Sequence, residues 1–200
     1  KLASALKNGA APTVISQLFA LSPDAQVKSG QLASAMAMPS NCPTASTTAF
    51  DFMAAAPAFA QSSQAVGHIT PVVDTDGNIR RVPAVVCYEG NAYPALAVAA
   101  LSAATGAQPL FKTAPGLMQS GQVLDVGGIQ IPVDAKGQLR VSYQMPRAGF
   151  VSVSAVDVIQ GKVPAHMLKG AWALVGSTAF GGGDAVPTPQ GGAVGGVEVH

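Results

Sequence analysis

The residue types best suited to chemistry gather near the end of the chain, in WALVGSTAFGGGDAVPTPQGGAVGGVEVH, Trp172 to His200. An apolar run stops at Gly176. Two hydroxyls, a triple glycine, a carboxylate and a Thr-Pro pair follow, and the stretch closes on one acid and one histidine. Glycine-rich backbone N–H groups, helped by Ser177, Thr178 and Thr188, could cradle a carboxylate or phosphate. Asp184, Glu198 and His200 could hold a metal or serve a hydrolase as acid, base and orienting group. Glu198 and His200 stand two apart, so on a strand they share one face. The spacing opposes the strongest forms of these readings. No Gly-Lys-Ser/Thr completes a P-loop. GSTAFG lacks the Gly-x-Ser-x-Gly elbow that would expose Ser177 as a nucleophile. A zinc centre takes three or four positioned ligands, and no helix-spaced His pair supplies them. The competing reading is structural: the glycines turn the backbone while Asp184 and the hydroxyls bind loop amides.

A second group follows the turn signal DTDGN. Arg80 and Arg81 are adjacent, so on a strand they point to opposite faces. One is then solvated, while the other reaches toward an anionic ligand or a carboxylate, for which Asp74, Asp76 and Asp184 are the candidates. His68 and His166 stand alone, read first as hydrogen-bonded structural residues and second as groups that make the domain pH-sensitive. Asp157 falls where a carboxylate supports a helix N-terminus. Cys42 and Cys87 fit no zinc spacing. They are either two buried thiols or a disulfide, which needs an oxidising compartment and would close a loop of about 45 residues.

The elements that must position these groups alternate in period. KLASALKNG reads as a helix stopped by Gly9, and PTVISQLFAL as a buried strand, half of a βαβ pattern that makes parallel pairing plausible. Residues 22–64 are rich in Ala, Ser, Pro and Met and read as an irregular, helix-containing insert, with a short helix interrupted by Pro57. HITPVV and IRRVPAVVCYEG read as strands joined by DTDGN, and NAYPALAVAALSAATG as a helix ended by Gly106. IQIPVD and LRVSYQ read as a second hairpin turning at DAKG. FVSVS reads as a strand, followed by a helix capped by Ser154 and ended by Gly161, a short helix from Pro164 to Leu168, and a buried strand in AWALVG. The class is α/β: a mixed sheet with β-hairpins and packed helices in a single domain over residues 1–200.

Composition narrows the function. With 48% hydrophobic and 10% charged residues, the chain can bury a core and is not disordered. A net charge of +1 without a basic block excludes a nucleic-acid footprint. The longest apolar run, ALAVAALSAA, is about half of what a bilayer needs. The chain opens on Lys1 without a signal-peptide layout and reads as a piece of something longer. No cofactor is expected.

VVDTDGNIRRVP, YPALAVAAL, VSAVDVIQGKVPAHMLKG, ALVGSTAFGGGDAVPTP and GVEVH occur in the order and spacing of the CHASE domain of the second type, a cyclase/histidine-kinase-associated sensory extracellular domain. The chain resembles that family from about Val66 onward, and LASALKNG resembles its mid-domain helix. It departs in carrying Gly195 where the family has Pro, and in lacking the family's earlier α/β structure, so the N-terminal part of the domain is expected to be missing. The resemblance implies an extracytoplasmic (periplasmic) sensory input of a bacterial inner-membrane receptor. Such an input precedes membrane helices and a cytoplasmic nucleotide cyclase, histidine kinase or serine/threonine kinase. It also implies an unidentified small-molecule or protein stimulus, a homodimer formed through the full-length receptor, membrane attachment outside this segment and no enzymatic activity. The alternatives are a hydrolase or metal enzyme using Asp184, Glu198 and His200, and a structural oligomerisation module.

Overall fold

The computed structural model describes residues 1–33, 42–113, 122–145, 149–177 and 185–199, which group into one unit over residues 1–141 and another over 142–199. The class is mixed α/β. Several small sheets stand where one larger sheet was expected.

The first unit opens with helix α1 (Leu2–Asn8), which buries none of its residues, followed by strand β1 (Val14–Ala20). β-Branched Val14 and Ile15 favour the extended backbone, and Gln17 and Phe19 point to one buried face. β1 is the middle of three strands. It runs antiparallel to β3 (Asp51–Met53) and parallel to β4 (Ala65–His68), with Ser16 beside Gly67 and Gln17 beside His68. A parallel pair needs a long crossover, and the segment read as irregular supplies it. It contains β2 (Thr47–Thr48), β3 and helix α2 (Pro57–Ala60). Pro57 starts α2 rather than interrupting a helix, because at the first helical position its missing N–H is no loss.

HITPVV divides. His68 ends β4, and Val72–Val73 form β5, which pairs with β6 (Ile79–Pro83) around DTDGN. Gly77 takes the left-handed conformation that the turn requires, with φ of 81°. β7 (Val85–Tyr88) then reverses into β8 (Asn91–Pro94), so the helix expected from Asn91 begins only at Leu96. Glu89 and Gly90 both have positive φ, 48° and 77°, and make the tight reversal. Pro94 holds Tyr93 extended, and Tyr93 buries its ring.

Helix α3 (Leu96–Thr105) ends at left-handed Gly106, as the sequence indicates. It lies on β4 so closely that a Cβ at Gly67 would sit 2.5 Å from Leu96 Cα and 3.0 Å from Ala99 Cβ. Gly67→Ala must push the helix off the strand. The expected result in a urea melt is a loss of about 1–3 kcal/mol.

The second hairpin also differs from expectation. β10 (Gln122–Val126) sits between β9 (Pro109–Thr113) and β11 (Ile129–Val133), and Gly127-Gly128 turns β10 into β11. DAKG does turn, with Asp134 and Gln138 closing it, but β12 (Gln138–Arg140) pairs with β6 and not with β11. The core of this unit has two parts. One joins Val82, Ala84, Ala95, Val98, Leu124, Val126 and Val133. The other joins Phe19, Ala49, Phe52, Val86, Tyr88 and Tyr93.

In the second unit, α4 (Ala155–Ile159) follows Ser154 and carries Asp157 in its first turn, and α5 (Ala165–Leu168) follows Pro164. FVSVS and AWALVG, expected as strands, form no ladder, and Trp172 and Val175 are 68% and 89% exposed. A strand exists only through a neighbour's backbone, and no described residue offers one to these segments. A hairpin of β13 (Ala185–Pro187) and β14 (Ala193–Gly195), then a 3₁₀ turn at Gly196–Glu198, complete the unit.

Candidate functional site

Three places hold the groups that could recognise or respond. The first is the DTDGN turn. The Arg80 guanidinium donates to Asp74 Oδ2 at 2.7 Å and forks onto both oxygens of Asp76 at 2.9 and 2.8 Å. Arg81 reaches Asp74 at 3.4 Å and Asp134 at 3.7 Å. Neither arginine is buried: both are part-exposed, and both turn to Asp74 despite leaving the strand on opposite faces. Carboxylates from the DTDGN and DAKG turns therefore already neutralise both cations. Arg140 stands directly across the ladder from Arg81 on the same face, a like-charge pair that Asp134 moderates.

The Arg80 hydrogen bonds, with Asn78 assisting, hold the Asp76 carboxyl well below the usual carboxylate range, and Asp76 in turn holds Arg80 above its own. A carboxyl whose pKa is depressed on folding contributes fully above the unfolded value, about 3.9, and loses that contribution as pH falls through the folded value. Arg80→Met is expected to raise the Asp76 titration, followed by carboxyl NMR, toward the ordinary range and to flatten the acid limb of stability below about pH 4.

The second place is the C-terminal stretch. Ser177 is exposed, and Thr188 is buried in the turn between β13 and β14, where its backbone bonds Gly191 and Gly192. Glu198 lies in a 3₁₀ turn and not on a strand, so the shared-face argument with His200 does not hold. Thr178, Asp184 and His200 lie outside the described residues. Among the described residues, no group of three or more His, Cys, Asp or Glu side chains is placed to hold a metal. His166 lies in α5.

The third place was only partly legible. His68, on β4, is 0% exposed. The Thr70 N–H donates to its Nδ1 at 3.2 Å, with that nitrogen as acceptor. The Thr70 hydroxyl accepts the Phe19 N–H at 2.7 Å and donates back to the Phe19 carbonyl at 3.3 Å, tying the exit of β4 to β1. Gln17, beside His68 in the parallel register, is 4% exposed, and neither amide atom has a hydrogen-bond partner among the described residues. The signal for this cluster was an amide in a strand whose other residues, Ser16 excepted, are apolar. Nearby, burial raises the phenol pKa of Tyr88 and Tyr93. Asp51, also unforeseen, accepts backbone N–H groups from Val27, Lys28 and Phe52 at 2.7, 3.0 and 2.9 Å, and these bonds lower its pKa.

Cys42 and Cys87 are joined, with Cα atoms 5.7 Å apart. The bond fastens the middle of the crossover to β7, where Thr47 and Thr48 already pair with Val86 and Cys87.

The model of the CHASE2 domain family matches residues 1–200, the full chain. The chain belongs to the CHASE2 domain family. CHASE2 domains are sensory extracellular domains of signalling receptors, and a sensory role, not catalysis, is what the family assigns to this chain. No curated protein and no solved structure matches it. No described helix of this CHASE2 domain is long and apolar enough to cross a membrane.

Proposed function

We propose that this CHASE2 domain is the periplasmic input of a bacterial inner-membrane receptor whose cytoplasmic output is a nucleotide cyclase, a histidine kinase or a serine/threonine kinase. The family match along the full chain carries the reading. The Cys42–Cys87 bond supports it, since disulfides persist in oxidising compartments. In this reading the receptor is a homodimer, and helices outside these residues attach it to the membrane. The stimulus, a small molecule or a protein, favours one of two arrangements of the domain through differential affinity alone. Ser177, Thr178, Asp184, Thr188 and Glu198 form one set of candidate ligand contacts. Arg80 and Arg81 form another, at which an anionic ligand must displace Asp74, Asp76 or Asp134.

The test grafts the domain onto a cyclase output and records cyclase activity while the periplasmic composition is varied. Activity that follows the composition only when the domain is present supports the reading. Activity indifferent to the domain under every composition removes it.

A further inference from the structure

We infer that Arg81 and Arg140 form a clamp for a small oxyanion, a phosphate or a dicarboxylate, across the β6–β12 ladder. The inference names a ligand class for one of the two contact sets above and rests on the sensory reading for its physiological meaning. Its geometry comes from the register. The Val141 N–H donates to the Arg80 carbonyl at 3.0 Å, and the Ala84 N–H donates to the Gly137 carbonyl at 2.9 Å. Hydrogen-bonded and non-hydrogen-bonded pairs alternate along an antiparallel ladder. Arg81 and Arg140, one step from the first of these bonds, therefore face each other as a non-hydrogen-bonded pair. In such a pair the Cα atoms stand about 4.5 Å apart and the side chains are at their closest. Both residues are exposed.

Like charges directly opposite each other weaken a ladder. An anion held between them turns that repulsion into two charge-assisted forks. The carboxylates already present do this incompletely. Arg80 is fully engaged, with a fork onto Asp76 and a bond to Asp74 at 2.7 Å. Arg81 has only long contacts, 3.4 Å to Asp74 and 3.7 Å to Asp134, against about 2.7–2.9 Å for a full charge-assisted bond. Asp134 Oδ1 is committed to its own turn, accepting the Lys136 and Gln138 N–H groups at 2.9 Å each. Arg140 makes no ion pair among the described residues. On its other flank Arg81 faces Val72, which carries no charge.

A guanidinium is a planar fork that matches two oxygens of a carboxylate or phosphate. A monocarboxylate satisfies one fork. Two facing forks call for an anion with oxygens on two sides, which phosphate and dicarboxylates supply. Such a ligand exchanges the long Arg81 contacts and leaves the Arg80–Asp76 fork in place. It also ties β12, only three residues long, to β6. The chain passes from β12 into the second unit at Ser142, so the anion fastens the strand that leads out of the first unit.

The experiment titrates inorganic phosphate and succinate separately into the chain at neutral pH and fixed ionic strength, following the arginine Nε–Hε NMR resonances. The expected result is that Arg81 and Arg140 shift together and saturate with one Kd, below about 10 mM, for at least one of the two anions. The tighter of the two assigns the ligand class. Arg140→Gln is expected to raise that Kd about tenfold through loss of one fork. Lys7→Gln, which removes the same charge from α1, is expected to leave it unchanged. Equal weakening in both variants means an adventitious ion only and overturns the clamp, as does a drift that never saturates with either anion. Should Arg140→Gln fail to fold, the native titration decides. Saturation of both resonances with one Kd supports the clamp, and saturation of Arg81 without Arg140 overturns it. The two readings fail separately. A chimera indifferent to the domain removes the sensory role and leaves this binding intact, whereas a chain that binds neither anion removes the clamp and leaves the sensory role standing.

Discussion

Replacing Cys42 and Cys87 together by Ala lowers the unfolding free energy by about 4 kcal/mol. The bond spans 45 residues, so the open chain gains the entropy of a long loop when it unfolds. Beside the bond itself, the crossover has few other backbone ties to β7. β2 is a two-residue strand, and Ala49 adds one backbone bond to the Cys87 carbonyl at 2.8 Å. Urea melts of the native chain, with and without a dithiol reductant, check the value. Reductant is expected to bring the native chain to the level of the double variant and to leave the variant unmoved. Hydrogen exchange is expected to find the first loss of protection at Ala49, where the crossover leaves β7.

Leu124→Ala costs about 3 kcal/mol, within the 2–5 kcal/mol range of buried Leu truncations. Leu124 is 0% exposed at the centre of β10, with β9 on one side and β11 on the other. Flanking strands hold the backbone in place, so the cavity among Val82, Ala84, Ala95, Val98 and Val133 cannot close by collapse. Val175→Ala is the control. That side chain is 89% exposed, and the expected change lies within about 0.5 kcal/mol. Parallel urea melts separate the two outcomes.

Local chemistry was the legible part of this chain. Gly77 and Gly106 announce a turn and a helix end, because only glycine takes those conformations without strain, and both fall where the text places them. β1 and α3 follow from β-branched and alanine-rich composition. Pairing was much less legible. LRVSYQ looks like the return strand of its own hairpin, yet β12 joins β6, since a three-residue strand takes whichever edge packing presents. NAYP looks like the start of a helix, but burial of Tyr93 and the Glu89-Gly90 reversal decide for a strand. AWALVG has the composition of a strand and no ladder, because composition cannot supply a neighbour.

The site divides in the same way. Asp74 and Asp76 were among the carboxylates expected beside Arg80 and Arg81, whereas Asp134 comes from a turn 53 residues beyond Arg81 and was reachable only through the β6–β12 pairing. The clasp at His68 depends on a parallel register that no single segment encodes.

A domain that relays information to an output does so reciprocally, because linkage runs in both directions. A domain that biases its output must itself be biased by the state of the output. The direct measurement is hydrogen exchange over β1, β4 and α3 in the full-length receptor, with the output locked active and then locked inactive. Opening constants in those elements are expected to differ by several-fold between the two locked states. Identical constants throughout the domain would contradict the relay.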